Sequence, residues 1–179
     1  TGLIKHYYAS PSLILSFYQD RIARIFPLYY FVLSLSFAFT YLFKVDSTFL
    51  QDPISIGQLL NNISIIPLNF YMFNYSDHYS LIPPAWSLGA EIQFYILIPF
   101  VLWLGDKFRL FLMIASFGIF LVASTNFINS DWFGYRLLPG ILFIFLSGSL
   151  LFDYHRGNKN AGYTLLAIFV LTFCCLLFN

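Results

Sequence analysis

Glu91 is the sole charged side chain in residues 85–104, a run of 20. As a helix this run is about 30 Å long, the hydrocarbon thickness of a bilayer. An acid inside such a helix costs free energy unless it is paired, protonated or facing water. An intramembrane ionisable residue is therefore a functional candidate by default. The rest of the chain agrees with a membrane setting. It is 59% hydrophobic and 9% charged, against about 25% charged in ordinary globular proteins. So little charge cannot cover a soluble surface. The net charge of +1 leaves no electrostatic footprint for nucleic acid. The 23 Phe and 13 Tyr suit lipid-facing and interfacial positions. Cys174 and Cys175 are adjacent in an apolar run, as lipid-buried hydrophobes would be, and suggest neither a disulfide nor a metal site. Asn62-Ile63-Ser64 and Asn74-Tyr75-Ser76 match the glycosylation tripeptide, a pattern short enough to arise by chance.

The pattern predicts an all-α, polytopic transmembrane helix bundle with about five spans: 26–43, 85–104, 108–127, 137–152 and 162–178. Pro27 falls in the first turn of the first span, where a missing N–H costs nothing. Residues 44–84 form a long connection. Its apolar middle, 59–73, is interrupted by Asn61, Asn62, Pro67 and Asn69, which suits a short re-entrant or interfacial helix better than a span. With the start of the chain on the cytoplasmic side, seven of the 9 Lys and Arg fall inside and only Lys44 and Arg136 outside, as the positive-inside rule requires. Ser147-Gly148-Ser149 offers a close-packing face for a neighbouring helix. The opening Thr1-Gly2-Leu3-Ile4 looks like the end of an earlier apolar segment, so the chain is expected to be a piece of a larger membrane domain, incomplete at both ends.

Two polar constellations can carry chemistry. Arg21 and Arg24, at i and i+3, share a helix face near the expected inner surface. Guanidinium forks there grip phosphate oxygens, but topogenic charges bound to lipid headgroups have the same spacing. In the second constellation Pro83 and Pro84 force an extended entry, after which Ser87 can cap a helix start. Ser87, Glu91 and Tyr95 then form a polar stripe at i, i+4 and i+8. Glu91 lies about 9 Å below the expected outer end, across the membrane from Arg21 and Arg24. Spacing alone leaves a structural acid and a functional one equally open. His78 fits a solvated outer loop. His6 and His155 have no carboxylate at helical spacing, so no triad can be argued.

The pairing of Arg21-Ile22-Ala23-Arg24-Ile25-Phe26-Pro27-Leu28-Tyr29-Tyr30 with Trp86-Ser87-Leu88-Gly89-Ala90-Glu91-Ile92-Gln93-Phe94-Tyr95 resembles the acyltransferase family 3 membrane domain over all of residues 1–179. That family includes O-acetyltransferases of bacterial surface polysaccharides. The resemblance implies a multi-pass inner-membrane enzyme. It would transfer an acyl group, usually acetyl, from cytoplasmic acetyl-CoA to a sugar hydroxyl of an exported or cell-surface glycan or lipid-linked sugar, without a metal. The family's Arg-x-x-Arg maps onto Arg21 and Arg24, which would hold the CoA phosphates. Its second motif maps onto Trp86, Ser87, Leu88, Glu91, Phe94 and Tyr95, so Trp86, Ser87, Glu91 and Tyr95 are the catalytic candidates.

The family's catalytic histidine, the general base in the implied mechanism, would precede Thr1, and His6 is misplaced to replace it. These 179 residues alone are therefore expected to be inactive. Two other classes remain open, a transporter or flippase of polyprenol-linked sugars and a non-catalytic membrane partner. The sequence does not identify the acceptor sugar or the acyl chain.

Overall fold

The computed structural model describes residues 11–177, and among them every regular element is helical. The expectations for Thr1 to Ile4, His6 and the end of the last span at Phe178 lie outside the described residues, as does the side chain of Cys175. The long helices are α1 (Pro11–Phe43), α4 (Trp86–Trp103), α5 (Asp106–Ser124), α6 (Leu138–His155) and α7 (Lys159–Leu177). Between α1 and α4 lie two short ones, α2 (Ile56–Ser64) and α3 (Tyr71–Asn74), with a 3₁₀ turn (Ile66–Phe70) joining them. Segments Ile14–Phe43, Pro83–Trp103, Asp106–Ser124 and Trp132–His155 are long and apolar enough to cross a membrane. Residues 59–73 break into three short helical pieces, as the interruptions by Asn and Pro suggest.

The first helix differs from expectation. It begins at Pro11, not near Phe26, so Pro27 lies deep inside it. A proline there removes a ladder hydrogen bond, which long apolar helices tolerate when neighbouring groups satisfy the freed carbonyl. Apolar side chains such as Leu28, Phe31 and Leu35 are exposed, the arrangement a lipid environment rewards. Lys44, in a left-handed conformation (φ 46°), ends the helix.

The chain forms two compact units. The core of the first, Leu15–Gln93, comprises Tyr29 and Leu33 of α1 with Ile65, Leu68, Tyr79 and Leu81 of the connection and Ala85 just before α4. Asn62, fully buried, is its polar centre. Its Nδ2 donates to the carbonyls of Gln58 (2.9 Å) and Tyr79 (3.0 Å), and its Oδ1 accepts from the Leu81 amide (3.0 Å). Its own carbonyl accepts the Tyr29 hydroxyl at 2.6 Å. One side chain thus satisfies backbone groups that a loop could not otherwise bury. A buried Asn62 is also no glycan acceptor. Asn62→Ala strands the Leu81 amide and the Tyr79 carbonyl, and we expect a loss of about 2–4 kcal/mol, read as a fall in the thermal midpoint of the detergent-solubilised protein. A change within about 0.5 kcal/mol would show that water replaces these bonds. Burial pushes the Tyr79 phenol pKa up, which keeps it a neutral hydroxyl.

In the second unit, mainly Phe94–Asn179, α5, α6 and α7 pack together. Phe117, Phe120 and Phe143 meet at centroid distances of 5.1–6.2 Å. The Ser116 hydroxyl of α5 accepts the Phe143 amide of α6 at 3.0 Å. Ser149, in the stripe expected to pack closely, is buried and bonds its own helix at the Leu146 carbonyl. A π-helical turn, Trp132–Arg136, leads into α6. Asp131 holds it through an ion pair to Arg136 at 3.0 Å and a short hydrogen bond from the Tyr135 hydroxyl.

Candidate functional site

The first unit contains a cavity of about 320 Å³ lined by Arg24, Ile25, Leu28, Tyr29 and Val32 of α1, Ile82, and Leu88 and Glu91 of α4. Apolar side chains make most of its wall, and the charged groups in it are one guanidinium and one carboxylate. Arg24 is exposed and Glu91 half-buried in this cavity. Tyr29 is fixed by its bond to the Asn62 carbonyl, so the connection 44–84 helps shape the cavity. His78 and His155 do not line it. His78 instead stands 3.7 Å from Asp52, with its side chain well exposed.

Two local features set the carboxylate in place. Pro83–Ala85 forms a 3₁₀ turn that runs directly into α4, and the Ser87 hydroxyl bonds the Pro84 carbonyl at 2.9 Å. Ser87 therefore ties the turn to the helix and does not cap a helix amide, because α4 continues from a turn whose carbonyls already serve that end. Gly89 then allows close approach. A Cβ there would meet the Ile65 carbonyl at 3.0 Å and the Asn69 Cβ at 3.2 Å. Ile65 itself is fully buried at φ 64°, a costly conformation for a β-branched residue that persists only where packing enforces it.

The positions of the candidates revise one expectation. Arg24 and Glu91 line the same cavity and are not separated by the membrane's thickness. Because α1 begins at Pro11, Arg24 lies about 20 Å along its axis, not at the helix mouth. Arg21 does not line the cavity. Its guanidinium lies over the Phe17 ring at 5.4 Å from the centroid. Trp86 is half-buried and Ser87 exposed, outside the lining. Tyr95 is half-buried and belongs to the other unit. Tyr29 and Asn62 are the residues the sequence reading passed over as site determinants. Ile25, Tyr29 and Leu33 recur every fourth residue and are all buried, a spacing that marks the packed face of α1.

Comparison with known proteins gives the family. The acyltransferase domain of family 3 matches residues 1–179. An uncharacterized protein of Aquifex aeolicus is 53% identical over 70 residues, 39% of this chain and 31% of that protein. An uncharacterized protein of Haemophilus influenzae is 29% identical over 158 residues, 80% of this chain and 64% of that protein. The chain thus spans about a third of the first relative and just under two thirds of the second. No solved structure matches.

Proposed function

This chain belongs to the family of membrane acyltransferase domains, and we propose that the protein moves an acyl group, in the simplest case acetyl, from a CoA thioester to a sugar hydroxyl. The acceptor is a glycan or lipid-linked sugar bound for the cell surface, the setting a bacterial inner membrane, and the donor enters from the cytoplasmic side. The observation that carries the reading is that Arg24 and Glu91, from two separate motifs, line one largely apolar cavity. A cavity of about 320 Å³ suits a short acyl group and the atoms around its carbonyl.

In the transfer the sugar oxygen attacks the thioester carbonyl, the C–S bond breaks, and the hydroxyl proton passes by way of a base to the departing thiolate. Charge develops on the carbonyl oxygen, where the Arg24 guanidinium stabilises it. Glu91 orients the acceptor hydroxyl or relays its proton. Arg21, one turn nearer the start of α1 and outside the cavity lining, serves the CoA phosphates, while Arg24 serves the reacting carbonyl. Ile25, Leu28, Val32, Ile82 and Leu88 give the reacting thioester apolar surroundings.

The test is acyl transfer by the intact protein in membranes, with insertion measured alongside. Arg24→Gln and Glu91→Gln each lower kcat by about 100-fold or more at unchanged membrane abundance. Full transfer in both variants would overturn the site. Uptake of a labelled lipid-linked sugar that ignores acyl-CoA would point to a transporter instead.

A further inference from the structure

An apolar groove of about 650 Å³ runs along the α6–α7 hairpin, within the second unit. Leu151 and Tyr154 of α6 line it with Lys159, Tyr163, Leu166 and Phe169 of α7. All six side chains are exposed. The wall between the two helices is shaped by Gly162. A Cβ added there would come within 2.7 Å of the Tyr154 ring, so the missing side chain is what lets that ring lie against the α7 backbone. In a membrane setting, exposed apolar side chains around such a groove face lipid.

Length and charge identify the occupant. From Lys159 to Phe169 the α7 axis advances about 15 Å, half of a hydrocarbon core about 30 Å thick. The groove is therefore one leaflet deep. Lys159, the one charged group in its lining, stands at the shallow end, with Tyr163 one turn deeper and Tyr154 alongside. Tyrosines at this level place their rings among acyl chains and their hydroxyls among headgroups. Lys159 makes no ion pair among the described residues. The nearby carboxylates, Asp106 and Asp153, are held by Arg109 in a separate cavity. Arg156, exposed three residues before Lys159, makes the turn still more positive. A zwitterionic headgroup would set its ammonium beside these cations with no carboxylate in the groove to meet it.

We propose that the groove binds an anionic phospholipid. The Lys159 ammonium, reaching out on its flexible stem, meets the phosphate, and the Tyr154 and Tyr163 hydroxyls serve the ester oxygens. One acyl chain lies along Leu151, Leu166 and Phe169. The site is independent of the acyl-transfer reading and needs only the membrane setting.

Native mass spectrometry of the intact protein in a neutral detergent tests this, with phosphatidylglycerol in one arm and phosphatidylcholine in the other. The unchanged protein retains phosphatidylglycerol in preference. Lys159→Gln weakens phosphatidylglycerol binding about fivefold, the effect of one basic group at a headgroup, and leaves phosphatidylcholine unchanged. Leu166→Trp fills the groove from its exposed side and weakens both lipids. Lys107→Gln is the control. Lys107 is an equally exposed cation at the start of α5 and lies outside the groove, so its loss leaves both lipids bound as before. Equal retention of the two lipids, or an equal effect of Lys107→Gln and Lys159→Gln, would overturn the proposal. So would a lipid-free dimer that Leu166→Trp dissociates, because a second copy would then fill the groove.

Discussion

Asp153→Ala lowers the unfolding free energy by about 3–5 kcal/mol. The size follows from the burial of Arg109, whose guanidinium Asp153 neutralises at 2.7 Å across the α5–α6 interface. Asp106 cannot take over, because at 78% side-chain exposure its charge is screened by solvent. The variant therefore leaves the buried cation with only the exposed, solvent-screened Asp106 as a carboxylate partner. Two comparisons isolate the cause. Asp153→Asn retains an acceptor and loses less. The paired Arg109→Leu, Asp153→Leu change removes both charges and falls much closer to the unchanged protein, since replacing a buried pair by apolar groups is often near neutral. Midpoints of thermal unfolding in detergent, followed by circular dichroism, give the ordering. If Asp153→Ala is no worse than the paired change, the ion pair contributes nothing and the argument fails.

Gly140→Ala costs about 3 kcal/mol. An added Cβ would run into the Phe133 carbonyl oxygen and sit 2.6 Å from its carbon. Those are backbone atoms of the π-helical turn, so no side-chain rotation relieves the clash. Either the turn unwinds or the start of α6 shifts, and the bond from the Leu137 amide to the Trp132 carbonyl, 2.7 Å, would be disturbed. Gly118→Ala in α5 is the control. Nothing lies within 4 Å of its added Cβ, and a mid-helix glycine replaced by alanine gains about 0.5–1 kcal/mol. Opposite signs at the two glycines are the expected result. A loss at Gly118 as large as at Gly140 would mean that the contact with Phe133 is not the cause.

Much of the fold is legible in apolar run lengths, because a bilayer demands helices of about 20 residues whatever they pack against. Helices α4, α5 and α6 fall close to the runs that announce them. The start of α1 was not legible, since Arg21 and Arg24 look like a membrane edge when read by polarity alone. The structure carries the helix back to Pro11, and it is this extension that places Arg24 in the cavity with Glu91. The connection 44–84 was legible as far as a short re-entrant or interfacial helix in its interrupted apolar middle. Its organisation depends on Asn62, whose four hydrogen bonds span sequence separations from 4 to 33 residues. No local pattern encodes partners that distant.

The sequence by itself determined the class of this protein, an all-helical membrane acyltransferase domain, because charge content, run length and two motifs are properties of the chain before it folds. Tertiary structure alone decided which motif residues meet. Arg24 and Glu91 share a cavity while Arg21 stacks on Phe17, a choice made by helix length and rotation. It alone also made the buried Arg109 ion pair, since Arg109 and Asp153 lie 44 residues apart. Only helix packing brings them together.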